Sequence, residues 1–135
     1  MKRFHKLLGQ EGERHAEAFL RKKGYVFVAR NFRAKHAEID LIFTHADRLI
    51  FAEVKTMTEK SEALFGSPSQ TIDRNKRRRN SLAAAEFLAR HKETFANLTP
   101  QFDVLEVTFF SKKVEISHIE NAFPAEFGFQ KKKLF

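Results

Sequence analysis

Two short segments carry acidic side chains where the surrounding pattern calls for apolar ones. Glu38-Ile39-Asp40-Leu41-Ile42 is followed, across the polar stretch His45 to Arg48, by Phe51-Ala52-Glu53-Val54-Lys55. Residues two apart on a strand share a face. Leu49, Phe51, Glu53 and Lys55 therefore line one side of one strand, and Glu38, Asp40 and Ile42 line one side of its neighbour. Paired as a hairpin, the two strands set Asp40 beside Glu53. Adjacent carboxylates repel, and partial burial raises the cost. Protonation of one, a lysine between them, or a bridging divalent cation would relieve it. Lys55 is placed to serve as the lysine. Mg²⁺ or Mn²⁺ would serve as the cation, because hard cations take oxygen ligands, commonly one or two carboxylates plus phosphate oxygens of a substrate. Asp40, Glu53 and the Val54 carbonyl offer three oxygens, and the Lys55 ammonium beside them would orient a water or stabilise a phosphorane-like transition state. The chemistry this points to is metal-assisted hydrolysis of a phosphodiester. A lone Glu-x-Lys is common on exposed strands. The two hydrophobic strands together carry the reading.

Other polar residues extend the set. Glu13 shares a helical stripe with Ala16 and Leu20 at the edge of an apolar face. From there it can reach over a sheet to the same cation, although a Glu near a helix start also suits the macrodipole. Gln70 closes Gly66-Ser67-Pro68-Ser69-Gln70 and is either a polar site residue or part of a loop. Arg74, Lys76, Arg77, Arg78 and Arg79 place five basic residues within six positions. Ile72, Lys76, Ala83 and Phe87 fall on one narrow stripe, so Lys76 points toward the sheet while the arginines spread around the helix. Such a field suits a phosphate backbone, whose affinity comes from counterion release; a solvated face is the plainer alternative. Arg33, with Arg30 and Lys35, extends the patch from the strand side.

The elements that must position these groups can be read in order. Gln10 to Lys23 is a helix, with Ala16, Phe19 and Leu20 facing inward and Gly24 ending it. Tyr25–Phe32, Glu38–Thr44 and Leu49–Thr56 are strands. Thr58 to Gln70 is a loop, Thr71 to about His91 a long helix, and Phe102–Phe110 and Val114–Ile119 are strands around a Ser111-Lys112-Lys113 turn. The fold expected is mixed α/β, a central sheet flanked by helices in the order α-β-β-β-α-β-β. One domain spans 1–123, and 124–135 is a basic C-terminal tail.

Composition limits the alternatives. The chain has 135 residues, of which 42% are hydrophobic, enough for one compact core. Sixteen phenylalanines against one tyrosine and no tryptophan point to rings used for packing rather than for stacking bases. Lys and Arg outnumber Asp and Glu by 25 to 17, a net charge of +8 that favours a polyanionic partner. No cysteine is present, which excludes disulfides, thiolate metal sites and cysteine nucleophiles. His36-Ala37-Glu38 matches half of a nucleobase-deaminase site, but the other half needs cysteine. There is no phosphate-binding glycine loop, no dinucleotide fingerprint and no His-Glu-x-x-His. No apolar run approaches a membrane span or a signal-peptide centre, so a cytoplasmic protein with no membrane partner is expected.

Gly12-Glu13-x-x-Ala16-x-x-Phe19-Leu20-x-x-x-Gly24-Tyr25, Asn31-Phe32-Arg33, Glu38-Ile39-Asp40-Leu41-Ile42 and Phe51-Ala52-Glu53-Val54-Lys55 resemble the YraN family of small bacterial proteins. Gly66, Ile72, Lys76, Phe102-Asp103-Val104 and His118-Ile119-x-Asn121-Ala122-Phe123 continue the likeness. The resemblance implies a restriction-endonuclease-like fold of the PD-(D/E)xK superfamily, similar to archaeal Holliday-junction resolvases. It implies Glu13, Asp40, Glu53 and Lys55 as catalytic residues, the three acids as ligands of Mg²⁺ or Mn²⁺, and Gln70 and Lys76 as further site residues. Branched or structured DNA would be the substrate and a homodimer the working unit. A nucleic-acid-binding protein that keeps the fold without turnover is the alternative.

Overall fold

The computed structural model describes residues 2–61 and 73–125. Gln70, the Gly66–Gln70 segment, Ile72 and residues 126–135 of the tail lie outside the described residues. Helix α1 spans Lys2–Lys22, and strands β1 (Val26–Arg33), β2 (Glu38–His45) and β3 (Arg48–Thr58) follow. Helix α2 (Arg74–Arg90) and the short α3 (Lys92–Phe95) lead to β4 (Thr99–Phe109) and β5 (Val114–Phe123). The order is the expected one apart from α3.

Helix α1 begins eight residues before the expected Gln10. The inward stripe that marks a helix in sequence starts only near Gly12, because Phe4 and Leu7 are exposed. The helix ends as the sequence says. Gly24 has φ +93, Gly24 N–H donates to the Arg21 carbonyl and Tyr25 N–H to the Leu20 carbonyl, the paired bonds of a Schellman motif. At the other end, Gly12 lies so close to β3 that a Cβ there would stand 1.9 Å from Thr56 Oγ1. Helix α2 starts at Asp73, whose carboxylate accepts from Lys76 N–H at 2.8 Å.

The five strands form one sheet in the order β1-β2-β3-β4-β5. β3 and β4 are parallel and the other pairs antiparallel. A parallel neighbour requires a crossover, and α2 with α3 lies within it. Helix α1 covers one face, over Leu41, Phe43, Ile50, Leu105 and Val107. Helix α2 covers the other, over Ile42, Leu49, Phe51, Phe102 and Val104. The phenyl rings pack as expected: Phe51 lies 5.9 Å from Phe87 and 5.6 Å from Phe102, centroid to centroid. No helix among the described residues is long and apolar enough to cross a membrane.

Candidate active site

The β2–β3 ladder runs from His45–Arg48 to Leu41–Ala52 and stops there. Asp40 and Glu53 are the next residues on each strand. Instead of pairing backbone to backbone, the strands are bridged by a side chain, Asp40 Oδ2 accepting from Val54 N–H at 2.8 Å. Beside this fork, β3 presents Glu53 and Lys55 on the face under α2, as the alternation requires.

Glu53 is the centre of a second set of contacts. Its Oε2 lies 2.5 Å from Lys55 Nζ and 2.6 Å from Lys76 Nζ. Its Oε1 accepts from Asn80 Nδ2 at 3.1 Å. Both ammonium groups stand at ion-pair distance yet off the direction of a hydrogen bond, so this buried oxygen is neutralised without a directed donor. Lys76 therefore points toward the sheet, as its stripe predicts, and belongs to the carboxylate cluster. Asn80 was not singled out from sequence. The signal was its place one turn beyond Lys76 on the stripe that continues through Ala83 and Phe87; Asn80 is buried with them.

Charge separates the acids. Burial pushes the Asp40 carboxyl up to about 7; the Val54 N–H works against this, and Glu13, Glu53 and Glu38 add to it. Glu13 is also raised, by burial and by Glu38, with the Asn31 side chain opposing. Burial would raise Glu53 too, but Lys55 and Lys76 outweigh it and hold Glu53 below its ordinary value. Lys55 is lowered by burial, and Lys76 adds to this against the pull of Glu53. Burial disfavours the charge on Lys76, yet Glu53 prevails, with Asp40 adding, and its pKa is raised. One acid is poised near neutrality, the other fixed as an anion, and an amine that releases its proton more readily stands beside them.

The donor set suits a hard divalent cation. Asp40 and Glu53 line a cavity of about 10 Å³, room for about one water. Asp40 is surrounded by acids, and Glu53 Oε2 has no directed donor. Among the described residues, however, no three Asp, Glu or His side chains are gathered closely enough to cage an ion. Holding one would need Glu53 or Glu13 to turn toward Asp40. Asp103, at the rim of the same cavity, has its oxygens committed. They take Gln101 Nε2 and Asn121 N–H, each at 2.9 Å, and His118 Nε2 at 2.7 Å. Lys23 Nζ lies 2.8 Å from His118 Nδ1. An ammonium can only donate, which assigns the Nε2–H tautomer to His118. This network fills the irregularity of β5 around Asn121, whose φ is +51. Nothing in the sequence pairs Lys23 with a residue 95 positions away.

The basic residues divide between the two faces. Arg74, Arg78 and Arg79 are exposed at the start of α2, beside the Glu53 cluster. Arg77 is partly buried, its guanidinium 5.9 Å above the Phe123 ring. Arg33 is exposed, 3.5 Å from Glu38. Lys35 lies near α2, its N–H donating to Glu86 at 3.1 Å. Arg30 does not extend that patch, because it binds Glu17 of α1 at 2.9 Å, on the opposite face.

Comparison with known proteins places the chain. A UPF0102 protein of Caldanaerobacter subterraneus subsp. tengcongensis is 36% identical over 121 residues, covering 87% of this chain and 95% of the relative. One from Caldicellulosiruptor saccharolyticus is 39% identical over 118 residues, covering 86% and 96%. One from Chlorobaculum tepidum is 38% identical over 122 residues, covering 86% and 91%. With residues 12–107, from the Gly12 contact through most of β4, matching as well, the chain belongs to the uncharacterised protein family UPF0102.

Proposed function

We propose that the chain is an endonuclease, dependent on Mg²⁺ or Mn²⁺, that hydrolyses phosphodiester bonds of branched or otherwise structured DNA. One observation carries the reading. The sheet opens between β2 and β3 at a half-buried Asp40, and Glu53, Lys55 and Lys76 meet beside that opening. A divalent cation held by Asp40 and Glu53, with Glu13 assisting, would supply Lewis-acid polarisation of the phosphate and of an attacking water.

The chain's own groups do the rest. Val54 N–H fixes the Asp40 carboxylate in the fork. Lys76 and Asn80 keep Glu53 ionised and oriented. Lys55 hydrogen-bonds the attacking water, and its charge offsets the negative charge that builds on the phosphoryl oxygens. Arg33, Arg74, Arg77, Arg78 and Arg79 hold the phosphate backbone without reading sequence. Gln70 completes the set by resemblance. The working unit is a homodimer, so that two centres act on the two sides of one junction.

The second reading, nucleic-acid binding without turnover, draws on a specific observation. Glu53 already has two lysines and an amide around it, as a structural ion cluster would. Cleavage separates the two readings. The nuclease reading expects metal-dependent cutting of a junction, a flap or a single strand, abolished by Glu53→Ala and by Lys55→Ala. No cutting across that panel with either metal, with salt-sensitive binding retained, establishes the second reading.

A further inference from the structure

We propose that Arg21 and Arg30, locked onto Glu17, clamp a backbone phosphate of a nucleic-acid strand that runs along α1 toward Glu13. This rests on the reading of Glu13 and Asp40 as the reacting end. The surface is a groove of about 380 Å³ between α1 and β1. Glu13 and Asn31 lie in it, and Arg21 and Arg30 line it as well. The basic cluster of α2 is on the other face of the sheet, so this is a separate contact.

The clamp is pre-formed. Arg30 donates Nε and Nη2 to Glu17 at 2.9–3.1 Å, and Arg21 donates Nε to the same carboxylate at 3.0 Å. Both guanidiniums also lie over the Phe27 ring, at 4.7 and 4.5 Å from its centroid. Two cations thus share one anion, and one positive charge is left unmatched. The two arginines are half-exposed, at 50% and 56%. Arg14, nearer the helix start, is already matched by Glu11. A guanidinium held this way loses little freedom on binding, and its planar fork fits phosphate oxygens.

Spacing relates the clamp to the reacting end. From Glu13 to Arg21 the helix rises roughly 12 Å. A strand rises about 3.4 Å per nucleotide. On a strand in B-form geometry the clamped phosphate is therefore about three to four nucleotides from the one at Glu13.

The test is fluorescence anisotropy with a labelled single-stranded oligonucleotide, in EDTA so that nothing is cut, across a series of KCl concentrations. Each of Arg21→Gln and Arg30→Gln is expected to flatten the slope of log K against log salt by about 0.7. Arg30→Lys keeps the slope but binds more weakly, because it keeps the charge and loses the fork. An ion triad that only pins α1 to β1 would lower the melting temperature of these variants and leave the slope alone. That result in the folded double variant, or in Arg21→Gln alone if the double variant does not fold, overturns the clamp. Cleavage by the wild type with Mn²⁺ is scored in parallel. Cutting with an unchanged slope discards the clamp and keeps the nuclease; a flattened slope without cutting keeps the clamp and discards the nuclease.

Discussion

Replacing Asp40 with asparagine should stabilise the protein at alkaline pH. The carboxyl is pushed from 3.8 to about 7, mainly by burial, with Glu13, Glu53 and Glu38 adding. In the unfolded chain it titrates near its ordinary value. Between about pH 4 and pH 7 the folded state therefore holds a proton that the unfolded state has released, and stability falls as pH rises through that window. Above pH 7 the loss is complete. About three pKa units at about 1.4 kcal/mol each give a ceiling of about 4 kcal/mol. Asparagine keeps an oxygen for the Val54 N–H, so the 2.8 Å bond need not be lost. For a domain of this size about 4 kcal/mol corresponds to a rise of roughly 10–15 °C in Tm. The assay is thermal unfolding of both proteins in EDTA at pH 4.5 and pH 8, followed by circular dichroism. The expected result is a large gain for Asp40→Asn at pH 8 and a gain of only about 1 kcal/mol at pH 4.5. Saturating Mg²⁺ should narrow the gap at pH 8 by stabilising only the wild type, by about 2.7 kcal/mol at a hundredfold excess over Kd. An Asp40→Asn protein that melts at or below the wild type at pH 8 would refute the electrostatic account of the fork.

Three further outcomes follow from packing and backbone geometry. Gly12→Ala should cost about 1–3 kcal/mol in urea unfolding, because its Cβ would meet Thr56 Oγ1 at 1.9 Å, and adding Thr56→Ala should recover part of the loss. Asp103→Ala leaves His118, Gln101 and the Asn121 N–H without their partner in the interior and should cost about 3–5 kcal/mol; a loss under about 1 kcal/mol would show that the network is not holding β5. Asn31 has φ +53, so Asn31→Gly should be nearly neutral while Asn31→Ala costs about 1–2 kcal/mol, which parallel melts will distinguish.

The fold was legible wherever the signal was local. Period-two alternation located β2 and β3, and Gly24 located the end of α1, because each reflects a short-range rule. The start of α1 was not legible, since Phe4 and Leu7 face water and leave no inward stripe. The site divides along the same line. Glu53, Lys55 and Lys76 could be assigned to one face from spacing alone. The Lys23–His118–Asp103 chain could not, because it depends on β5 bulging around Asn121 after α1 has docked. Arg30 was misplaced for a related reason. Its apparent companions differ, Arg33 standing beside Glu38 of β2 and Lys35 near α2, while a register shift between Phe27 and Ala29 accompanies the pairing of Arg30 with Glu17 on the α1 face.

The fork at Asp40 also explains why a carboxylate can persist there at all. A regular ladder beyond Leu41–Ala52 would bond Val54 N–H to backbone and leave no donor for a side chain. Where the strands part, that N–H must find another acceptor or be stranded. Asp40 supplies one at 2.8 Å. The backbone's need for an acceptor thus holds in place an acid that burial and three neighbouring acids disfavour. Lys55 and Lys76 both sit on Glu53 rather than on Asp40, and Lys76 reaches Asp40 only as a charge beyond contact. The fold therefore keeps one acid short of positive charge while neutralising the one beside it. A cluster built only for stability would distribute its two lysines between the two acids. This uneven sharing is what supports the proposal that Asp40 helps bind a cation, and the Mg²⁺ dependence of the Asp40→Asn comparison tests it.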